Sequence, residues 1–504
     1  MLNKESSRNL SFKALSALAV VICGCFLIIK LKLLYGLAYT SDLFIHTQKS
    51  RSFIYGLPLL YDNIHGPHPY HNTFLELALS PFSALFGASG LITAYWLICA
   101  SVFTWMIYSS RASSAAGRVY IPFMLFVSLL GPIGFWTFDN PVYGWHPEML
   151  SLPCGLGLAV SLIEGRRTLT LIFSLACLLT HEIGAVLAAS IHLLFFYIGQ
   201  LPSASGLRQI IKRHVQILWP WVILFAVGLI IQRLWDSAGS GRLDGVIQQL
   251  QTEAGRKLVV GLISPLLGLL AISSLGFLAL TRSVKHVLLI LFCATPAILA
   301  GAGAGLAYGD FPGADMHNIF WPPRWSFIWA ITISGTFFSL FNSSNSRNGI
   351  SGLILSAFLL TVVLIWCQDN WLRKYRSYNA TERVTMAFSG SLRPLFSQKE
   401  LSLISCLSDR ISKRNRIVLP GSMWALFEAH DIEFLNPSNP YRADPSILLC
   451  DLATRTPFDY DCLKKQEPYS TNTEYMTKDF ESLRITFRKR LRDTYRLCRK
   501  SLLD

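Results

Sequence analysis

A succession of apolar runs, each about 17–25 residues long or longer, constrains this chain more than any other feature, because that length of helix crosses ~30 Å of hydrocarbon. The runs fall near 14–36, 73–108, 119–136, 149–164, 215–234, 258–281, 287–305, 323–341 and 350–367. Composition agrees with them. Of 504 residues, 52% are hydrophobic and 15% charged, and mean hydropathy is +0.41, whereas soluble domains carry about 25% charged residues. The expected fold class is mainly α: a polytopic, multi-pass α-helical membrane protein. The first run lacks a small-residue cleavage site and reads as an anchor rather than a removed signal. The formal charge of +15 does not point to nucleic acid. Its lysines and arginines are scattered over short loops and one C-terminal stretch, where membrane topology and anionic lipid headgroups account for them.

The block 168–199 is ambiguous by length alone, and charge parity resolves it. Arg166 and Arg167 precede it; Arg208, Lys212 and Arg213 follow it. Cytoplasmic placement of both clusters requires an even number of crossings between them. Two short helices with His181-Glu182 at the outer tip satisfy this. One long helix would instead leave Glu182 in lipid, which is expensive. With Lys4, Arg8 and Lys13 inside, eleven crossings follow, and 37–72, 137–148, 180–183, 235–257, 306–322 and everything after 367 fall outside. Residues 1–367 then form the transmembrane domain, and 368–504 a small extracytoplasmic α/β domain. In that domain "RIVLPGSMWALFEAHDIEFL" reads as strand, turn, helix and strand, "PSILLCDL" as a third strand, and 473–502 as a long basic amphipathic helix.

Cysteine use divides the same way. Cys23, Cys25, Cys99, Cys154, Cys177 and Cys293 lie in apolar runs, as small hydrophobes do. Cys367, Cys406, Cys450, Cys462 and Cys498 lie in or beside the polar C-terminal region, where an oxidising compartment permits a Cys450–Cys462 bridge and Cys450 reads equally well as a buried strand residue. No CxxC pair occurs, which excludes zinc-ribbon and thioredoxin-type readings.

The topology gathers acids and histidines on one membrane face. Asp42, His46, Asp62, His65, His68 and His71 lie in the first outer loop. Asp139, His146 and Glu148 lie in the second, His181 and Glu182 at the hairpin tip, and Asp310, Asp315, His317 and Arg324 in or beside a later loop. Asp62, His68, Asp310 and Asp315 read as turn residues beside Gly and Pro. Trp145 and Tyr143 read as an interfacial belt, and His146-Pro147-Glu148 also suits a helix start. Glu182 is flanked by apolar residues and needs a partner, and Asp42 stands where the first span has just ended.

The first loop resembles that of the GT-C membrane glycosyltransferases, in which an Asp after the first span precedes a G-x-P-x-x-x-D segment; the matching residues are Asp42, Gly56, Pro58 and Asp62. The likeness is closer to a bacterial and archaeal branch of that superfamily, a domain family of unknown function. "DLFIHTQ", His71, "HPEMLSLP" and "THEIG" occur in that order, followed by the strand-rich end "IVLPGSMWALFEAHDIEFL…YRADPSILLCDL". His181 stands where many members of the branch carry Lys. The resemblance implies transfer of a sugar from a polyprenyl-phosphate donor to an acceptor on the outer face of the bacterial inner membrane. It makes Asp42 the candidate base with Glu182 as a second catalytic acid. Asp139, His146, Glu148, His181, His317 and Arg324 become substrate-binding residues, Arg324 toward the departing phosphate. A divalent cation on Asp42, His71, His146 and Glu148 is compatible with this chemistry. A secondary transporter would hold its acids at the midplane between repeats, and no repeat is evident. A non-catalytic protein of envelope assembly, recognising through its terminal domain, is the third reading.

Overall fold

In a computed structural model the described residues are 2–35, 42–56, 59–62, 73–113, 121–126, 145–181, 184–200, 397–410, 417–418, 447–452 and 472–502, with isolated positions at 118, at 463, between 212 and 252 and between 326 and 341. The described chain is mainly helical, with a small strand region near its C-terminus. The runs expected near 258–281, 287–305 and 350–367 lie outside the described residues.

The N-terminal part contains α1 (Leu2–Tyr35), α2 (Asp42–Arg51), α3 (Leu75–Ala78), α4 (Ser80–Ser109), α5 (Ser151–Ile163), α6 (Arg167–Thr180) and α7 (Gly184–Gln200). Two stretches, Ser11–Leu34 and Ser80–Ala112, are long and apolar enough to cross a membrane. Both expose large apolar side chains, among them Val20, Val21 and Ile28 on α1 and Leu85, Phe86 and Leu97 on α4. Exposed apolar side chains on helices of this length suit lipid better than water. Their opposite faces pack together and with α5–α7 in one apolar core. α1 and α4 run antiparallel: Phe26 meets Trp96 at 5.1 Å between ring centroids, and Lys13 at the start of α1 borders the same cleft as Tyr108 at the end of α4. α4 is broken at Gly87, whose φ of 58° and ψ of −141° are not helical.

The expected hairpin is present. α6 ends at Thr180, His181 is extended (φ −171°, ψ 164°), and α7 begins at Gly184. A Cβ on Gly184 would stand 1.6 Å from the Cys177 carbonyl oxygen, so only glycine permits this tight return. Glycine also sets the approach of α5 to its neighbours. A Cβ at Gly157 would lie 2.3 Å from the Phe173 ring on α6, and one at Gly155 would lie 2.9 Å from Ala330. Such small residues let helices close in where the hydrophobic effect gives little drive. Gly157→Leu should therefore lower the thermal midpoint in detergent, by the equivalent of at least about 1–3 kcal/mol of overpacking. An unchanged midpoint would mean that α5 and α6 do not meet at this point.

One end of the bundle is basic. Trp105 Nε1 donates to Glu164 Oε1 at 3.0 Å, and Arg166 Nε pairs with Glu164 Oε2 at 2.7 Å. Arg111 lies 3.8 Å above the Tyr108 ring. With Lys13 of α1 beside them, these residues bring together basic side chains from α1, from just beyond the end of α4 and from the α5–α6 turn.

The C-terminal strands are β1 (Ile417–Val418), β2 (Ile447–Asp451), β3 (Tyr475–Phe480) and β4 (Leu483–Arg488), in the order β1-β2-β4-β3. β1 is parallel to β2; the other pairs are antiparallel. Helices α8 (Gln398–Arg410) and α9 (Arg492–Lys500) pack on the sheet. The single long helix expected over 473–502 is corrected: the segment is a hairpin, then a helix of nine residues. The alternation of Leu483, Ile485 and Phe487, all buried, has the strand period of two and outweighs the basic character of the segment. Ser397 and Glu400 form a capping box at α8: Ser397 Oγ accepts from the Glu400 N–H at 3.1 Å, and Glu400 Oε2 accepts from the Ser397 N–H at 2.7 Å. The other oxygen, Oε1, accepts from the Ser482 N–H at 2.7 Å and from its hydroxyl at 2.5 Å, which ties the β3–β4 turn to α8. At the surface, the hydrogen bond from Arg484 holds the Asp479 carboxyl below its ordinary pKa, while burial raises that of Tyr495.

A disulfide joins Cys406 of α8 to Cys498 of α9, across 92 residues of sequence. Cys450 on β2 is also disulfide-bonded. Its expected partner Cys462 lies outside the described residues. Cys23, Cys99, Cys154 and Cys177 are free and buried, and Cys25 is free and exposed.

Candidate functional site: a buried histidine–carboxylate cluster

α2 is mostly polar in sequence, "DLFIHTQKSR", yet of residues 43–50 all but Gln48 are buried. A helix of this composition would normally turn a polar face to water. Here the polar side chains are spent on partners. Ser50 Oγ donates to Ser83 Oγ at 2.7 Å, Lys49 pairs with Asp62 at 3.6 Å, and Thr47 Oγ1 donates to the Leu43 carbonyl at 2.7 Å. Asp62 is therefore corrected from a turn residue to a fully buried member of an ion pair.

His46, also on α2, faces Glu76, the only acid of the short helix α3. Glu76 is completely buried. Its Oε2 accepts from Thr73 Oγ1 at 2.8 Å, and its Oε1 lies 3.5 Å from Trp145 Nε1 and 2.6 Å from His46 Nδ1. The last contact has ion-pair distance, but the ring N–H does not point at the oxygen, so Nδ1 makes no hydrogen bond there. These donors offset the cost of burying the carboxylate. Trp145 is corrected from an interfacial belt residue: it is 1% exposed and stands edge-on to Tyr95 at 5.5 Å.

The second carboxylate, Glu148, adjoins the first group. His146 packs its ring 5.4 Å from that of His46, and its Nδ1 lies 2.8 Å from Glu148 Oε2. Glu148 Oε1 faces His181 Nε2 at 3.5 Å. His146, Glu148 and His181 are 8–9% exposed, less enclosed than Glu76. The backbone fixes this geometry. His146 is extended and begins the tight turn Pro147–Leu150 without any side-chain cap, so the pair turns sideways instead of serving the helix start. The Glu148 carbonyl accepts from the hydroxyls of Ser151 and Ser326, the latter at 2.7 Å.

Five titratable side chains thus come together: His46, Glu76, His146, Glu148 and His181. They lie at the start of α4, the start of α5 and the end of α6, opposite the basic termini of the same helices. A carboxylate held against an imidazole Nδ1 fixes the ring tautomer and stabilises its cation, the arrangement of a general base.

Three of the expected site residues, His146, Glu148 and His181, are therefore neighbours. Asp42 is the first residue of α2, one turn before His46. Glu182, Asp139, His71, His317 and Arg324 lie outside the described residues. Sequence reasoning passed over Glu76 because "FLELALSPF" was absorbed into an apolar run. The signal was there, since Glu76 is as isolated among apolar neighbours as Glu182. Among the described residues no three His, Cys, Asp or Glu side chains are arranged to hold a metal ion. Of the expected metal set, only His146 and Glu148 have described side chains. No family model matches the chain, and no curated protein or solved structure matches it either.

Proposed function

We propose that the chain is a multi-pass membrane glycosyltransferase of the GT-C type, with eleven crossings in a bacterial inner membrane. It transfers a sugar from a polyprenyl-phosphate donor to an acceptor at the outer face. The observation that carries this reading is the paired His–carboxylate cluster at the bundle end opposite the basic residues Lys13, Arg111 and Arg166. A lipid-linked phosphate sits at a membrane surface, where the eleven-crossing scheme puts this end of the bundle. In the proposed step the acceptor hydroxyl loses its proton to the Glu148–His146 pair as its oxygen bonds to the sugar carbon, and the polyprenyl phosphate leaves with the bonding electrons. His181 holds the other oxygen of Glu148, and His46 with Glu76 supports the His146 ring. Asp42, one turn before His46 on α2, and Glu182, next to His181 in sequence, are proposed as the further acids of the step. Asp139 and His317 are proposed to orient substrate. Arg324, two residues before Ser326, is proposed to neutralise the departing phosphate. A divalent cation would supply further charge neutralisation there, and His146 and Glu148 are the described donors suited to it.

Incubating the purified protein with radiolabelled polyprenyl-phosphate sugars tests this reading. Label moving to an acceptor supports it; donor uptake without chemical change favours a transporter, and binding alone favours an assembly protein. The topology carries its own prediction. A reporter active only in the cytoplasm, fused after Asp504, should stay silent, since the disulfides of the terminal domain suit an oxidising compartment. A cytoplasmic signal would remove one crossing and break the hairpin arrangement.

A further inference from the structure

The basic end of the bundle contains a cleft between α1 and α4 of about 430 Å³, lined by Lys13, Ser16, Ser101, Thr104, Trp105 and Tyr108. Its size is that of an ordinary ligand pocket. Two of its hydroxyls are anomalous. Ser101 Oγ donates back to the Leu97 carbonyl at 2.8 Å, as a helical serine ordinarily does. Ser16 Oγ and Thr104 Oγ1 are buried and have no hydrogen-bond partner among the described residues, which costs free energy unless a ligand supplies one. Among the described residues the only charge lining the cleft is the Lys13 ammonium, and the Arg111 guanidinium lies 3.8 Å over the Tyr108 ring at its border. Trp105 and Tyr108 are side chains that settle at headgroup depth. Beyond Lys13, α1 exposes Leu18, Val20 and Val21, a surface along which an acyl chain can lie.

We propose that this cleft binds one anionic phospholipid of the inner leaflet. The phosphate faces Lys13, ester or phosphate oxygens accept from Ser16 and Thr104 after a rotation of each hydroxyl, and the chains run down α1. The proposal rests on the membrane placement of α1 and α4 and is independent of sugar transfer.

The test is native mass spectrometry of the full chain released from vesicles of equal phosphatidylglycerol and phosphatidylcholine. The wild type should retain phosphatidylglycerol preferentially. Lys13→Gln should cut that preference about five-fold, the worth of one lysine at an anionic surface. Thr104→Val removes a hydroxyl without changing shape, so it should keep or raise the thermal midpoint in lipid-free detergent while lowering phosphatidylglycerol retention. Equal retention of the two lipids, or a preference unchanged in both variants, would overturn the proposal. Failure of the chain to enter vesicles would refute the membrane placement on which it rests.

Discussion

Glu148→Gln is expected to lower sugar transfer by about 10²–10⁴-fold, the usual contribution of a positioned base. The amide keeps the size of the side chain but cannot hold both His146 Nδ1 and His181 Nε2 as a charged acceptor, as the carboxylate does at 2.8 and 3.5 Å. The thermal midpoint in detergent should move little, because the packing of the Pro147–Leu150 turn depends on the Glu148 backbone carbonyl, which Ser326 and Ser151 hold. A structural role would give the reverse: a lower midpoint, with the folded fraction fully active. Asp42→Asn tests whether the first-loop acid shares the proton. Asp62→Asn is unsuitable as a quiet control, since Asp62 is buried against Lys49. Asp493, with a side chain 91% exposed, serves instead.

Loss of the Cys406–Cys498 bridge is expected to have the second large effect. The bridge closes a loop of 92 residues and joins the two helices that cover the sheet. Removing a native disulfide from a small extracellular domain costs about 2–5 kcal/mol. The double variant Cys406→Ser, Cys498→Ser, which leaves neither partner as an unpaired thiol, should therefore make the terminal region of the full chain markedly more susceptible to protease. Unchanged protease resistance would show that α8 and α9 are held by packing alone.

The helical hairpin and three members of the cluster were legible in the sequence because charge and polarity interrupt apolar runs there. His181 is the clearest case, for parity of the basic clusters asks for a turn within 168–199 and the polar pair His181-Glu182 marks where it falls. What escaped was pairing. Glu76 and Asp62 read as an interrupted span and a turn, because a carboxylate shows its partner only once α2 folds His46 and Lys49 inward. Trp145 was taken for a surface aromatic for the same reason: its indole reaches Glu76 only in three dimensions. The β3–β4 hairpin was hidden by its arginines and lysines. In β4, Arg484 and Arg488 alternate with Leu483, Ile485 and Phe487, a period-two pattern that charge content masks.

The central claim is that a buried acid–histidine cluster at the outer face transfers sugar, and sidedness tests it most directly. Radiolabelled polyprenyl-phosphate sugar is supplied to right-side-out and to inside-out membrane vesicles containing the protein, and label on acceptor is measured against label entering the lumen. The account predicts transfer in right-side-out vesicles and little in inside-out ones, with Glu148→Gln inactive in both. Transfer only from the cytoplasmic side, or luminal uptake of unaltered donor with no transfer, would contradict it.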